Sequence, residues 1–503
     1  MPLYLPTAVV EGRNIVQSPL RIATGRWRMS VSASEGVDLA QLVQPSGMAL
    51  RSSRMDACGR WFAAAATLVA CISPTAQKPS LPFVPSAREP HVEPSLTVVG
   101  APPSNLPQPD ARPNVVLFTI DSLRADMPWS GYPRAIAPRL TELAKRCVTY
   151  ERAYATASHT APSVASILFG RYASELERDG FFSSVYPTTL RGFPSLLGDA
   201  GIRTLAGHAH EYMRRSGFAR GFQSYDIVAG LLPAANADPN QTSRRLAALA
   251  QNQLDALGDL DGPPGTEPSF FAWYHFVDPH AEWLVPPKSE NIPSFGPKIR
   301  DRYDAEVYLT DKYVGAVLDH VATKPWAGRT VVLVTSDHGE AVGDHGQLHH
   351  GYEVWESLVR VPLLVCVPGV PPRKIGTPRS LIDLGPTILD IFGVAVPAEY
   401  RGQSLLPEVR GEEQDLRDVL VDLPANDLSF ARRALVREKT KIVYVGESRR
   451  RLLYDLENDP EERLPIRSGP LYDQEVSRLV EAEGRLREVK PHTCAKGCAK
   501  GWP

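Results

Sequence analysis

The sequence predicts an α/β fold, in which a large, mostly parallel sheet is sandwiched by helices and followed by a small C-terminal antiparallel subdomain. Two near-continuous apolar runs, 114–121 and 330–337, have the composition of strands that are buried on both faces. Such strands are typical of parallel sheets. Helical spacing of apolar residues between the runs indicates the covering helices.

The large domain begins with the strand at 114–120 and continues with a helix after Pro138. Leu140, Leu143, Ala144 and Cys147 recur at the spacing of one helix face. The same criteria predict further strands at 201–207, 270–276, 330–335 and 362–368, and further helices at 193–200, 246–257, 314–321 and 382–392.

The pattern changes after about residue 400. Short runs with strand composition at 432–445 and 451–455 flank a turn at 446–448, and a helix is predicted over 475–486. The predicted boundaries are therefore 114–400 for the large domain, 401–490 for the C-terminal subdomain and 491–503 for a tail.

The composition excludes some classes of protein. The 503 residues are 43% hydrophobic, which is enough for a sizeable core, and the net charge of −2 provides no overall basic surface. Nucleic acid is therefore not an expected partner. Prolines cluster between residues 79 and 113, and residues 72–113 are predicted to be a Pro-rich linker.

The segment before this linker has the features of an export signal. Arg51, Arg54 and Arg60 precede the short apolar run 61–70, and small residues end at Cys71. The last four residues, Leu-Val-Ala-Cys, resemble the bacterial lipobox, which implies cleavage before Cys71 and acylation of its thiol. The alternative is a short buried helix that ends in a cysteine.

This interpretation predicts an exported bacterial lipoprotein, anchored through Cys71 on the periplasmic side of the membrane or at the cell surface. A signal should begin near the N-terminus, and Met48 or Met55 is a better start than Met1. Residues 48–71 are therefore predicted to be the signal, and residues 1–47 an over-extended N-terminus. The six cysteines form neither a dense disulfide framework nor a zinc pattern, although Cys494 and Cys498 could pair in an oxidising compartment.

Two predicted strands end in aspartate. Asp121 follows the first apolar run and Asp337 ends the run at 330–337. In open α/β sheets, ligands bind beyond the carboxyl ends of the strands, so both carboxylates are expected at such a site. His338 follows Asp337, and carboxylate oxygen together with imidazole nitrogen suits Zn, Mn or Ca. The sequence therefore predicts a metal or anion site here.

Residues 158–171 form a hydroxyl-rich turn that runs into an apolar helix. Pro162 suits the first turn of this helix, and a hydroxyl just ahead of it lies beside unpaired N–H groups and the positive end of the helix dipole. Thr160 is therefore predicted to be a nucleophile towards an anionic substrate. The alternative is a threonine that only caps the helix.

Taken together, these segments resemble the sulfatase branch of the alkaline phosphatase superfamily. The resemblance extends from about residue 114 to 465, with several motifs in family order. They are Ile120-Asp121-Ser122-Leu123-Arg124-Ala125-Asp126, Thr160-Ala161-Pro162-Ser163 through Gly170-Arg171, Asp278-Pro279-His280, Thr335-Ser336-Asp337-His338-Gly339-Glu340 through His345-Gly346, Arg360-Val361-Pro362, Gly402-Gln403-Ser404-Leu405-Leu406-Pro407, and Leu453-Tyr454-Asp455 through Pro460.

The resemblance implies a role for each site residue. Asp121, Asp337 and His338 would bind a divalent metal, namely Mn, Zn or Ca, and Thr160 would be the nucleophile that this metal activates. The other two catalytic residues, His280 and His350, would contact the transferring group or the leaving oxygen. Many sulfatases carry a lysine at the position of His350.

Three positions depart from the family pattern. Sulfatases carry a cysteine or serine, oxidised to formylglycine, at the position of Thr160, an arginine at that of Val164, and usually another aspartate ligand at that of Ser122. The methyl group of threonine rules out an aldehyde, which favours phosphate chemistry over ordinary sulfatase turnover. His345 and His349 are further candidates as ligands of a second ion.

The sequence therefore predicts an exported, metal-dependent hydrolase of phosphate or sulfate esters, whose substrate is a small molecule or a glycan or lipid ester. One alternative is a phosphotransferase that moves a lipid headgroup onto a glycan or lipid. The usual transferases of that type carry several membrane spans ahead of the catalytic domain, and no such spans occur in this sequence. Another alternative is a non-catalytic, sulfatase-like binding lipoprotein.

Overall fold

The computed structural model describes residues 112–210, 212–228, 241–258, 260, 268–280 and 283–492. Within this part of the chain, nine strands form the main sheet: β1 (Asn114–Ile120), β2 (Val148–Tyr154), β3 (Arg203–His208), β4 (Ser224–Ile227), β5 (Phe270–Phe276), β6 (Thr330–Thr335), β9 (Arg360–Cys366), β10 (Arg373–Ile375) and β11 (Arg379–Ser380). The short strands β7 (Ala341–Val342) and β8 (Leu348–His349) pair only with each other. The predicted signal, most of the linker, and Cys494 and Cys498 lie outside the described residues.

The main sheet has the strand order β10-β2-β9-β6-β1-β5-β3-β4, and β11 also pairs with β2. Strands β6, β1, β5, β3 and β4 are parallel to one another. Strand β9 runs antiparallel to both β6 and β2. The prediction of a large, mostly parallel sheet is confirmed.

Helices cover both faces of the sheet. They are α1 (Pro138–Ala144), α2 (Thr160–Phe169), α3 (Phe193–Asp199), α4 (Tyr212–Arg215), α5 (Ser243–Asp255), α6 (Ile299–Ala322), α7 (Glu356–Val359), α8 (Leu384–Ile391) and α9 (Leu406–Arg410). Alternate residues of β1 pack into two different cores: Val116 and Phe118 contribute to the core under α1, α5 and α6, whereas Val115 and Leu117 contribute to the core under α2, α3 and α8. Because both faces of β1 are buried in this way, the apolar run at 114–120 has almost no polar residues. Among the described residues, no helix is long and apolar enough to span a bilayer.

The C-terminal part forms a separate antiparallel sheet, as predicted. Its strands β12 (Val419–Leu423), β13 (Arg432–Arg437), β14 (Thr440–Val445) and β15 (Arg450–Asp455) pair in sequence order, and helix α10 (Pro470–Arg485) packs on them. The turn at 446–448 joins β14 to β15. Strand β12 has the sequence VLVDL, and its aspartate is buried against Arg433 and the backbone N–H of Ser174.

The sequence analysis missed strand β2, which separates β9 from β10 and β11. Its sequence, VTYERAY, contains Glu151 and Arg152 where the pairing with β9 shifts between Tyr150 and Ala153. The irregular register places two charged residues at the solvent-facing bulge and interrupts the alternation by which a strand is recognised.

A disulfide bond between Cys147 and Cys366 links the start of β2 to the end of β9. The two cysteines are 219 residues apart in sequence, and the antiparallel pairing that places Val148 opposite Val365 brings them together. The sequence analysis did not predict this pair.

A buried ion triad joins the C-terminal sheet to the large domain. Lys441 Nζ, on β14, lies 3.1 Å from Glu356 Oε1 on α7 and 2.9 Å from Glu462 Oε1. The backbone N–H of Glu356 donates to Glu462 Oε2 at 2.6 Å. Burial raises the pKa of Glu462 to about 7, against the opposing effect of Lys441.

Loss of the disulfide should destabilise the protein. We expect the double substitution Cys147→Ala with Cys366→Ala to lower the free energy of unfolding by about 2–5 kcal/mol, because the crosslink restricts the unfolded chain. Thermal melting of the oxidised wild type, the reduced wild type and the variant tests this. The reduced wild type should match the variant, and equal melting temperatures in all three would contradict the prediction.

The raised pKa of Glu462 predicts a pH dependence of stability. The folded protein holds a proton that the unfolded chain has released, so stability should fall as pH rises from about 4.5 to about 7. Glu462→Gln removes this titration. The wild type should therefore lose more melting temperature than Glu462→Gln as the pH rises across this interval. Glu461→Gln, at an exposed neighbouring position, should show the same pH dependence as the wild type.

Candidate active site

Asp121 is the first residue after β1, and its buried side chain is held by the turn that follows. Its backbone N–H donates to the carbonyl oxygen of Phe276 at 2.8 Å, and Ser122 Oγ donates to its Oδ1 at 3.0 Å. Ser122 has a φ of 61°. This left-handed conformation lets its side chain turn back onto the preceding carboxylate.

Asp337 and His338 follow β6, the parallel neighbour of β1. Both side chains are fully buried. The backbone N–H of His338 donates to Asp337 Oδ1 at 3.0 Å, and Ser163 Oγ on α2 donates to the carbonyl oxygen of Asp337 at 2.6 Å. Because β1 and β6 are adjacent and parallel, their carboxyl ends bring the two aspartates together.

Thr160 is the first residue of α2, rather than a residue ahead of the helix, and only 6% of it is exposed. Its Oγ1 lies 3.1 Å from His338 Nε2 and 3.4 Å from Asp121 Oδ2. His159 occupies the N-cap position, and no side chain forms a capping hydrogen bond there. The Thr160 hydroxyl is therefore turned towards the strand ends and does not cap the helix.

The residues fit a bound divalent cation. Among the described residues, one ligand atom from each of Asp121, Asp337 and His338 lies within 4.8 Å of the other two. Asp337 Oδ2 is buried without a hydrogen-bond partner. His338 Nδ1 lies 2.8 Å from the carbonyl oxygen of Gly339, which assigns the ring proton to Nδ1 and leaves the Nε2 lone pair facing both carboxylates. A cation among these atoms could be coordinated by Asp121, Asp337 and His338 together.

The electrostatics of the cluster reflect its two neighbouring carboxylates. Burial and the charge of Asp121 raise the pKa of Asp337. Burial also acts to raise the pKa of Asp121, but His280, His275 and His338 outweigh it and hold that pKa well below its ordinary value. Burial lowers the pKa of His338, so its imidazole is neutral at pH 7, as a metal ligand requires.

His280 and His350 lie beside this cluster. The ring of His350 is 4.3 Å from that of His338 and 4.8 Å from that of His280, measured between centroids. His350 Nδ1 lies 3.1 Å from the buried carboxylate of Glu340. Burial acts to raise the pKa of Glu340, but His350 outweighs it and lowers that pKa, so the glutamate is an anion that orients the imidazole.

The structure does not place His345 and His349 with the metal ligands. The His345 ring stacks on Trp355 at 4.1 Å, and the His349 ring stacks on Trp283 at 5.5 Å. Neither belongs to the group formed by Asp121, Asp337 and His338. The structure therefore gives no support to their suggested role as ligands of a second ion, because both rings stack on tryptophans.

The structure adds one residue that the sequence analysis missed. His275, on β5, is fully buried, and its Nε2 lies 3.5 Å from Asp121 Oδ2. Its Nδ1 lies 2.7 Å from Thr119 Oγ1, which also accepts a hydrogen bond from Trp273 Nε1 at 2.8 Å. The Thr119 hydroxyl then donates to Nδ1, which places the N–H of His275 on Nε2, towards Asp121. The sequence signal that could have identified His275 is a histidine within a largely aromatic strand.

Comparison with known proteins identifies the family. The sulfatase family model matches residues 113–394, more than half of the chain. A model described as the C-terminal region of N-sulphoglucosamine sulphohydrolase matches residues 343–489.

Individual relatives agree with this match. The chain is 25% identical to a choline-sulfatase of Rhizobium meliloti, over 71% of this chain and 83% of the relative. It is 23% identical to an arylsulfatase of Clostridium perfringens, over 78% of this chain and 98% of the relative.

Solved structures share the fold. The phosphonate monoester hydrolase of Agrobacterium radiobacter superimposes with a TM-score of 0.59 at 19% identity, and the match covers 74% of this chain and 94% of that one. The chain therefore belongs to the sulfatase family and is a hydrolase of sulfuric or phosphoric esters.

Proposed function

We propose that this protein is an exported, metal-dependent hydrolase of phosphate or sulfate esters in which Thr160 is the nucleophile. The observation that carries the proposal is the buried Thr160 hydroxyl, held 3.1 Å from His338 Nε2 and 3.4 Å from Asp121 Oδ2 at the carboxyl ends of β1 and β6. A threonine hydroxyl is a weak nucleophile in water, and a site of this composition is a recognised way to activate it.

Asp121, Asp337 and His338 are the residues proposed to hold the cation, which is Mn, Zn or Ca. Two carboxylates and one imidazole suit a borderline or hard divalent ion. Such an ion supplies charge stabilisation to an anionic ester and lowers the pKa of a nearby hydroxyl.

In the proposed first step, Thr160 Oγ attacks the phosphorus or sulfur atom of the ester. A bond from Oγ to that atom forms while the bond to the leaving oxygen breaks. The hydroxyl proton is lost from Oγ, and the leaving oxygen takes up a proton from His280 or His350 and departs as the alcohol. Water then cleaves the Thr160 ester, which restores the hydroxyl and releases the inorganic anion. Thr160 is the first residue of α2, where unpaired backbone N–H groups and the helix dipole favour this anion.

His350 and His280 are proposed to act on the transferring group and the leaving oxygen. The Glu340 carboxylate accepts the Nδ1 proton of His350, which leaves Nε2 to act on the substrate: it accepts a hydrogen bond or proton in the neutral ring and donates one in the imidazolium. The His280 ring is 4.8 Å away, so the two imidazoles can act on one bound group. Neither carries the permanent charge of a lysine.

The side chain of Thr160 favours phosphate over sulfate esters. Its β-carbon carries a methyl group, so oxidation can give a ketone but not the aldehyde that forms formylglycine. A threonine nucleophile must therefore transfer the group through a direct ester. The similar proteins include both classes, with sulfatases among the related sequences and phosphonate monoester hydrolases among the related structures.

The proposed substrate is the ester of a small molecule, a glycan or a lipid. One related structure is described as a complex with a neocarrahexaose and another with D-glucosamine-2-N,6-O-disulfate, which shows that proteins of this fold accept sugar esters. Export and anchoring through Cys71 remain predictions from the sequence. The disulfide between Cys147 and Cys366 supports export, because such bonds persist in oxidising compartments.

Substitution of Thr160 tests the proposed chemistry. We expect Thr160→Ala to lower kcat by at least about a thousandfold, because it removes the nucleophile, and Thr160→Ser to retain measurable turnover. The full-length protein is stripped of metal, supplied with Mn, Zn or Ca in turn, and assayed with an aryl phosphate, a phosphodiester and an aryl sulfate. Mass spectrometry after acid quenching should find the transferred group on Thr160.

The matched control for this experiment is Ser166→Ala. Ser166 is a buried hydroxyl residue of the same helix, and its Oγ donates to the carbonyl oxygen of Pro162 rather than facing the strand ends. Its activity should stay within a few-fold of the wild type. If wild type and Thr160→Ala act equally on all three esters, or on none with any metal, the mechanism is wrong.

His275 is expected to position Asp121 for metal binding. His275→Ala should weaken binding of the divalent cation by about 10–100-fold, as the loss of a partner that orients a ligand typically does. Calorimetric titration of the metal-free protein measures this without turnover. His208→Ala is the control, since His208 is equally buried against Trp273 but its ring lies 6.3 Å from that of His275. Equal affinities in the wild type and both variants would refute the role.

A further inference from the structure

An aromatic rim stands beside the candidate active site. It consists of Phe182 and Tyr352, of which Tyr352 is 45% exposed, and the preceding loop residue Phe181 is 54% exposed. The rings of Phe182 and Tyr352 stack at 5.4 Å with an angle of 23° between their planes. We infer that this rim binds a ring with an apolar face in the organic part of the ester substrate. The inference rests on the proposed function, which it deepens by naming a substrate class.

The rim is connected to the nucleophile through His159. The Phe182 ring meets the His159 ring edge-on at 4.1 Å, and His159 directly precedes Thr160. The His159 ring is also 6.0 Å from that of His350. When the phosphorus or sulfur atom of an intact ester lies at Thr160 Oγ1, its organic part would therefore be within reach of the rim.

Gly351 makes the close approach of these rings possible. A β-carbon at this position would lie 2.6 Å from Phe182 Cζ and 3.1 Å from His159 Cδ2, and the residue has a φ of +87°. Any side chain here would push Phe182 away from His159. The backbone next to His350 is thus shaped to admit an aromatic ring at the edge of the site.

The loop that carries the rim is held by several hydrogen bonds. Asp179 Oδ1 accepts from the backbone N–H groups of Phe181 and Val185, at 3.3 and 3.0 Å. Asp427, in the turn after β12, accepts from the N–H of Phe182 at 2.7 Å, and its own N–H donates to the carbonyl oxygen of Gly180 at 2.8 Å. A surface that is already ordered loses little entropy when it binds a ligand.

The surroundings of the rim favour an uncharged ring. The adjoining turn exposes the apolar side chains of Leu428 and Phe430. The guanidinium of Arg432 nearby is bound to Glu353 and Glu447, and Asp427 is itself a carboxylate, so a polyanionic glycan gains little here. Phe182 and Tyr352 stack on each other, and a stacked pair of rings suits the face of a further ring.

Binding of two phosphonates to the full-length, metal-loaded protein tests this inference. Phenylphosphonate and methylphosphonate share the phosphonate anion, and only phenylphosphonate carries a ring. By calorimetry, the wild type should bind phenylphosphonate about tenfold more tightly. Tyr352→Ala should reduce that preference several-fold and leave the binding of methylphosphonate unchanged. Tyr352→Phe should retain the preference, and Leu464→Ala, at an exposed apolar position outside the rim, should have no effect.

The outcomes separate the rim from the proposed chemistry. Equal binding of both phosphonates by the wild type, or equal losses for both in Tyr352→Ala, would overturn the inference while the anion site stands. Tighter binding of phosphocholine than of phenylphosphonate would also overturn it, in favour of a cation. If neither phosphonate binds, the anion site is wrong. Saturation-transfer NMR with phenyl β-D-glucoside, which lacks the anion, then tests the rim alone, and absence of transfer refutes it.

Discussion

The repulsion between two buried carboxylates is the constraint on which the site depends. Asp121 and Asp337 end neighbouring parallel strands, so the pairing of β1 with β6 brings two negative charges together in the interior. Such a pair is costly unless positive charge or hydrogen-bond donors face it. Ser122, His275 and the backbone N–H of His338 each face one of the carboxylates. A divalent cation would complete this compensation.

The same constraint accounts for the place of Thr160, the proposed nucleophile. Helix α2 points its N-terminus at the strand ends, and Ser163 ties its first turn to the backbone of Asp337 at 2.6 Å. The helix dipole therefore adds positive potential where the carboxylates need it and where an anionic ester must bind. The N-terminus of α2 therefore stabilises the two carboxylates in the protein alone and also favours the binding of an anionic ester.

Much of this site follows from the sequence because strand ends in a parallel sheet are predictable. Asp121 and Asp337 each follow an apolar run, and Thr160 precedes a proline in a helix start. His275 could not be found in this way, because its contact with Asp121 depends on the register that pairs Thr119 with His275 across β1 and β5. Strand β2 and the pair Cys147 with Cys366 likewise depend on long-range pairing across an irregular strand, which local periodicity does not record.

The disulfide encloses most of the chemistry in one covalent loop. Thr160, His275, His280, Asp337, His338 and His350 all lie between Cys147 and Cys366, whereas Asp121 and the antiparallel C-terminal sheet lie outside it. A single cut of the backbone anywhere inside this loop would leave both pieces joined through sulfur, with Thr160, Asp337 and His338 still attached to the strand that carries Asp121. The crosslink therefore gives the catalytic domain resistance to proteolytic separation.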